Sequence, residues 1–144
     1  MPDPNPDLRP LAIVAAVSGI YDVALGLTLF LGRSLLEDLF SVPAPAPPIH
    51  ADLNALFAIA VGIGYVLPYR DPVAYRGYLW VMGPLLKGVG SAAFVIDHLV
   101  RHSPPAFLIF AVTDGALALV TLWALLSTRV SPRSESRPPA PGPG

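Results

Sequence analysis

Cysteine is absent from this 144-residue chain, which excludes disulfides, thiolate nucleophiles and cysteine-held metals. Charge is sparse: 13% of residues are Asp, Glu, Lys or Arg, against about 25% in an average soluble domain. Lysine is rarer still, since Lys87 is the only one. The formal net charge is −1 and no basic run interleaved with aromatics occurs, so the chain has no electrostatic footprint for nucleic acid. There is no GxSxG, no Walker loop, no dinucleotide fingerprint and no HExxH box. No catalytic residue or cofactor is therefore indicated, and catalysis is not the expected role.

What the chain does have is apolar surface. Hydrophobic residues make up 53% of it. A bilayer core about 30 Å thick needs roughly 20 apolar residues in helical form. Four segments meet or approach that length: Leu11 to Leu31, Ala51 to Leu67, Tyr75 to Leu99 and Pro105 to Leu126. Each is hydrophobic on nearly all faces, without the broad polar stripe of a soluble bundle helix. The reading is an all-α integral membrane four-helix bundle over residues 10–127, with a flexible start at 1–9 and a disordered tail at 128–144. The opening "MPDPNPDLRP" lacks the basic region of a cleaved signal peptide, so a retained cytoplasmic start is expected.

Between the first two spans, Ser34 and Glu37 have capping-box spacing and predict a short interfacial helix. Leu35, Leu36, Leu39 and Phe40 would lie in the interface, with Glu37 and Asp38 facing water. The proline run that follows predicts an extended connector. With both termini cytoplasmic, that side holds Arg9, Arg70, Arg76, Arg129, Arg133 and Arg137, and the other only Arg33 and Arg101. The positive-inside rule favours this orientation. Tyr69, Tyr75, Tyr78, Trp80 and Trp123 then fall at the inner interface, and Arg70 and Arg76 are expected to anchor the inner loop to anionic lipid.

Depth singles out three residues. At about 1.5 Å per residue, Asp22, Lys87 and Asp114 all lie roughly 16 to 20 Å above the inner surface. A lone charge at mid-bilayer costs about 2.5–3.5 kcal/mol on insertion scales. The three are therefore expected to face one another, with Lys87 paired to Asp114 and Asp22 as a second acceptor. Fully ionised, the trio carries one net negative charge, which a proton on one aspartate would cancel. A purely structural reading makes this a buried bridge that sets helix register. A functional reading makes it a binding or proton-handling site, the usual meaning of intramembrane ionisable groups.

Pro84 removes an amide donor and crowds the carbonyl of Trp80, so a kink is expected one turn below Lys87. Gly83, Gly88 and Gly90 would admit close approach by a helix or ligand there. The pairs Ala15 and Gly19, Ala58 and Gly62, and Ala60 and Gly64 have small-xxx-small spacing and predict close helix packing or dimer formation. Near the outer face, His50, Asp52, Asp97, His98, Arg101 and His102 read as a hydrated rim, their spacing matching no established metal motif. Asn54, with Ser18 and Tyr21, is expected to extend the central network toward the outer surface.

The order "SGIYDVALGLTLFLGRSLLEDLF", a proline-rich turn, "ALFAIAVGIGYVLPYRDPVAYRGYLW", "LLKGVGSAAFVI" and "TDGALALVTLWAL" resembles small bacterial four-helix membrane proteins of the DoxX-like and BphX-like kind. The resemblance covers residues 8–127 and implies a compact bundle in the bacterial inner membrane, often beside redox or aromatic-degradation enzymes. It implies no catalytic residues, and the lysine is not part of it. The expected function is binding or transport of a small, polar-headed lipophilic molecule, or proton relay, through Asp22, Lys87 and Asp114. The alternative is a structural or accessory subunit of a membrane-associated redox or catabolic enzyme system. The expected partners are membrane lipid, a lipophilic ligand, and a second copy or an enzyme.

Overall fold

The computed structural model describes residues 7–42 and 45–128. The expected flexible start before residue 7, part of the proline-rich connector and the expected tail from residue 129 lie outside the described residues. Among those described, every regular element is helical. α1 spans Arg9–Leu31, α2 Arg33–Phe40, α3 Ile49–Gly64 and α4 Val66–Arg70. α5, Arg76–Trp80, continues through a π-helical segment, Val81–Lys87, into α6, Gly88–Arg101. A 3₁₀ turn, Pro105–Phe107, leads into α7, Leu108–Ser127.

Four stretches are long and apolar enough to cross a membrane: Arg9–Leu31, Ile49–Arg70, Arg76–Arg101 and Pro105–Ser127. Their ends lie within three residues of the bounds expected from hydropathy. The ordered chain starts ahead of residue 10, because Pro10 suits a first helical turn, where its missing N–H has no partner to lose.

α1 is the central element. It packs along α3 and α4 on one side and against α7 on the other, and α7 in turn packs on α5, the π-helical segment and α6. Small residues permit the first of these contacts. A Cβ on Gly19 would lie 2.9 Å from the Gly62 carbonyl oxygen, one on Gly62 would lie 2.7 Å from the Val23 amide nitrogen, and one on Gly26 would lie 2.7 Å from the Ala55 carbonyl oxygen. The two backbones therefore touch. Gly64, from the third small-residue pair, instead makes room for the Tyr78 hydroxyl.

At the lower end, where α1 begins and α4 ends, Leu11, Val14, Ala15, Val61, Tyr65, Leu79, Ala124 and Leu125 form the apolar core. Tyr78 ties the third span to the second there: its hydroxyl donates to the Val61 carbonyl at 2.6 Å, and its ring meets Tyr65 edge-on at 5.2 Å. Toward the upper end the two spans part. Leu53, Leu56 and Phe57 are exposed, and no residue of α6 is buried.

Two expectations about the connections are corrected. Ser34 and Glu37 form no capping box: α2 starts two residues earlier, at Arg33, with Gly32 in place of Ser34 as N-cap and no side-chain cap. The Leu36 amide donates to the Gly32 carbonyl, so the turn continues closely from α1 and leaves Ser34 inside the helix. Leu35 and Leu39 are exposed as an interfacial face requires, but Phe40 turns inward to stack on Phe107 at 5.6 Å and contact Phe110 at 5.6 Å.

Arg76 is not a free lipid anchor either. Its guanidinium donates to the Leu125 carbonyl and, at 3.0 Å, to that of Thr128, so it satisfies carbonyls that the end of α7 leaves open. It also orders Thr128, which is buried. Hydrogen bonds from a charged group contribute about 1.5–3 kcal/mol. Arg76→Gln should therefore raise amide exchange in the last turn of α7 by at least about tenfold; unchanged exchange there would remove the cap from the account.

Candidate functional site

Lys87 closes the π-helical segment. Pro84, inside it, has no N–H to give the Trp80 carbonyl, and the chain answers by widening the turn. At the position of the expected kink the helix is π-helical over Val81–Lys87. More residues per turn bring Leu79, Gly83 and Lys87, spaced in fours, closer to one face than an α-helix would, and all three are buried. Gly83 is needed where this face meets α7, since a Cβ there would lie 2.5 Å from the Thr121 side chain. Gly88 meets only Ala118 at an ordinary 3.8 Å, and Gly90 has nothing within 4 Å; neither makes the close approach expected of it.

The structure brings Lys87, Asp22 and Asp114 together. The Lys87 ammonium donates to Asp22 Oδ1 and lies 3.5 Å from Asp114 Oδ1. Lys87 and Asp22 are each 5% exposed, so the charges compensate each other inside the protein, as burial requires. The order of partners is reversed from expectation. Asp22, 65 residues away, is the near one, because the widened turn aims the lysine at α1 as well as at its sequence neighbour α7. Asp114 keeps more access, with 18% of its side chain exposed.

Tyr21 covers the cluster on its upper side. Its ring centroid is 4.8 Å from the Lys87 nitrogen, within cation–π range. Its hydroxyl is 2.8 Å from Thr113 Oγ1. Thr113 gives its own proton to the Ile109 carbonyl at 2.9 Å, which leaves Tyr21 as the donor to Thr113. Tyr21 and Thr113 also line a crevice of about 260 Å³ with Thr28, Leu36, Phe40 and Phe110. One aromatic ring therefore separates this crevice from the lysine.

Below the cluster the polar groups are unpaired. Ser18 Oγ, Asp22 Oδ2 and Tyr65 Oη are all buried and have no hydrogen-bond partner among the described residues. Ser18 and Asp22 stand four apart on one face of α1, and the Tyr65 hydroxyl faces Ser18 without reaching good hydrogen-bond geometry. Each such group costs about 1–3 kcal/mol if left unsatisfied.

Ser18 thus extends the network downward, not toward the outer surface as expected. Asn54 does not join it: the residue is exposed, because α3 meets α1 at this level through Ala55 and Ile59 instead. Thr113 and Tyr65 belong to the site and were not singled out by sequence. The only signal for Tyr65 was its place seven residues below Ala58 on an apolar helix, which reads as core; Thr113 was visible only as the neighbour of Asp114.

The polar rim at the upper end divides into local pairs. Arg33 binds Asp52, Arg101 binds Asp97 at 3.1 Å, and His98 Nδ1 lies 2.7 Å from the Ser103 carbonyl. His50 and His102 are exposed. No group of three His, Asp or Glu side chains among the described residues is placed to hold a metal ion.

Four membrane-length helices, with a buried Asp–Lys pair joining the first to the third, define the class as a helical multi-pass membrane protein. Comparison of the chain with protein-family models, with curated proteins and with solved structures gives no match.

Proposed function

We propose that this is a four-span bundle protein of the bacterial inner membrane, both termini cytoplasmic, whose Asp22, Lys87 and Asp114 cluster receives the polar head of a small lipophilic molecule. The observation that carries the reading is a lone lysine held at the middle of four apolar spans between two carboxylates, with three buried oxygens beside it lacking partners. A bridge whose only task is to join helices is best with every polar atom satisfied; unpaired atoms belong to a site that another molecule completes. The crevice above Tyr21 supplies an apolar and aromatic wall for the body of such a molecule. A turn of the Tyr21 ring would then admit a carbonyl or anionic head to Lys87. The orientation rests on the arginine distribution, and the membrane on the resemblance to DoxX-like and BphX-like proteins.

The test is a native mass spectrum of the detergent-extracted protein beside a variant with Asp22→Leu, Lys87→Leu and Asp114→Asn, which removes all three charges together. The wild type is expected to carry a co-purified lipophile that the variant loses while keeping its helical circular dichroism. Equal retention by both would exclude the cluster as the binding site and favour an accessory subunit of a membrane enzyme system, in which the charges only hold helices together.

A second reading, proton relay, is favoured by the file of hydroxyls and carboxylates from Thr113 and Tyr21 through Asp22 to Ser18 and Tyr65. In this version Asp22 or Asp114 takes the proton and Lys87 tunes its affinity. Proteoliposomes containing a pH-sensitive dye would report proton flux that falls with Asp22→Asn; flux equal to that of empty liposomes in the wild type would dismiss the relay.

A further inference from the structure

A second site lies on a different face of α1, with Tyr65 bordering both. Where α1 crosses α3 and α4, the small residues that let the backbones touch leave a trough on the outer surface of about 460 Å³. Gly19 and Gly62 form its floor, Ala16 and Ile20 one wall, and Ile63 and Val66 the other. From Ala15 to Leu27 it extends over thirteen residues of α1, about 18 Å at helical rise and so a little over half of a hydrocarbon core about 30 Å thick. That is the depth of one leaflet's acyl layer.

Both walls end in an arginine at the same end of the molecule. Arg70 stands four residues beyond Val66 and seven beyond Ile63, so it continues the α4 wall. Arg9 stands seven before Ala16 and continues the α1 wall. Both are exposed, and neither forms a salt bridge with a carboxylate among the described residues. The neighbouring acids are engaged elsewhere: Asp71 Oδ1 accepts the Val73 and Ala74 amides at 3.2 and 2.9 Å, and Asp7 Oδ1 accepts the Arg9 amide at 3.0 Å. Tyr69, which also lines the trough, stands beside Arg70 and is 54% exposed, as an interfacial tyrosine is. At the trough's far end the nearest arginine, Arg33, is paired with Asp52.

We infer that this trough is a binding site for one anionic phospholipid, an acyl chain lying over Gly19 and Gly62 and the headgroup phosphate held between Arg9 and Arg70. An apolar channel of one-leaflet depth, with two guanidiniums at one end that meet no carboxylate among the described residues, matches the two halves of that molecule. Guanidinium also suits phosphate by its bidentate geometry. None of Asp22, Lys87 and Asp114 lines the trough, although Tyr65 borders both sites.

Full-length protein in mild detergent, titrated with phosphatidylglycerol or phosphatidylcholine of identical acyl chains and read by native mass spectrometry, tests this. The wild type is expected to bind one phosphatidylglycerol in clear preference to phosphatidylcholine. Arg9→Gln with Arg70→Gln should lower phosphatidylglycerol affinity roughly 30-fold, about fivefold for each basic residue, and leave phosphatidylcholine unchanged. Ala16→Leu with Ala24→Leu, which fills the trough from its surface, should weaken both lipids. Unchanged phosphatidylglycerol binding in the double arginine variant would overturn the proposal. So would efficient disulfide dimer formation by Ile63→Cys, a unique thiol in this cysteine-free chain, because a second copy would then occupy the trough.

Discussion

Lys87→Met should destabilise the folded chain by about 3–5 kcal/mol, the usual penalty for removing one partner of a buried ion pair. The loss would not measure the worth of the pair. It would arise because Asp22, 5% exposed, keeps a carboxylate in a dry interior with one oxygen already unpartnered and the other newly so. Asp22→Leu and Lys87→Leu combined with Asp114→Asn should be far milder, within about 1 kcal/mol of wild type or better, since well-packed uncharged residues often replace buried ion pairs without loss. Thermal unfolding of both variants in one detergent, followed by circular dichroism, would show a large drop for the single change and recovery in the triple. If the two fell equally, the lysine would be acting through the packing of its stem, and the electrostatic account of the cluster would be wrong.

The next largest effect is expected at Gly62, a residue with no side chain of its own. A Cβ there meets the Val23 amide nitrogen at 2.7 Å and the Gly19 carbonyl oxygen at 2.8 Å. Both are backbone atoms that cannot rotate aside. Gly62→Val must therefore push α1 away from α3, and overpacking of this kind typically costs about 1–3 kcal/mol, occasionally more. Because α1 also carries Asp22, the displacement should loosen the cluster, so that amides around Ser18 and Asp22 exchange faster in the variant. Gly90→Ala is the matched control: nothing lies within 4 Å of the added methyl, and replacing glycine inside a helix should be neutral or stabilising by up to about 1 kcal/mol. Equal loss in the two variants would mean that the α1 to α3 contact is not what the Gly62 change disturbs.

Much of this architecture was legible in the chain because hydropathy is a local property. Twenty-odd consecutive apolar residues demand a helix whatever lies beside them, so the span ends came out within three residues. Charge burial has similar force. With so few charges and three of them at one depth, pairing among Asp22, Lys87 and Asp114 followed from the cost of leaving any alone. The small-residue pairs Ala15 and Gly19 and Ala58 and Gly62 read as packing, and these helices do meet there.

The readings that failed depend on rotation and on neighbours. The form of the disturbance at Pro84, a π-helical stretch with Gly83 against Thr121, was not given by the proline alone. Asn54 lies one turn inside a helix that must pack, so sequence placed it in the central network. The upper halves of the second and third spans diverge, and Asn54 is exposed. Arg76 looked like a lipid anchor until the end of α7 lay beside it.

By itself the sequence determined four membrane-length helices and a shared depth for three charges, since both follow from transfer free energies that each segment meets alone. Tertiary structure decided which carboxylate the lysine takes, which oxygens stay unpaired, and where backbones touch closely enough to leave a lipid-sized trough. Those outcomes depend on the rotation of each helix about its axis and on its distance from the next, quantities set by side chains meeting across helices and encoded in no single segment.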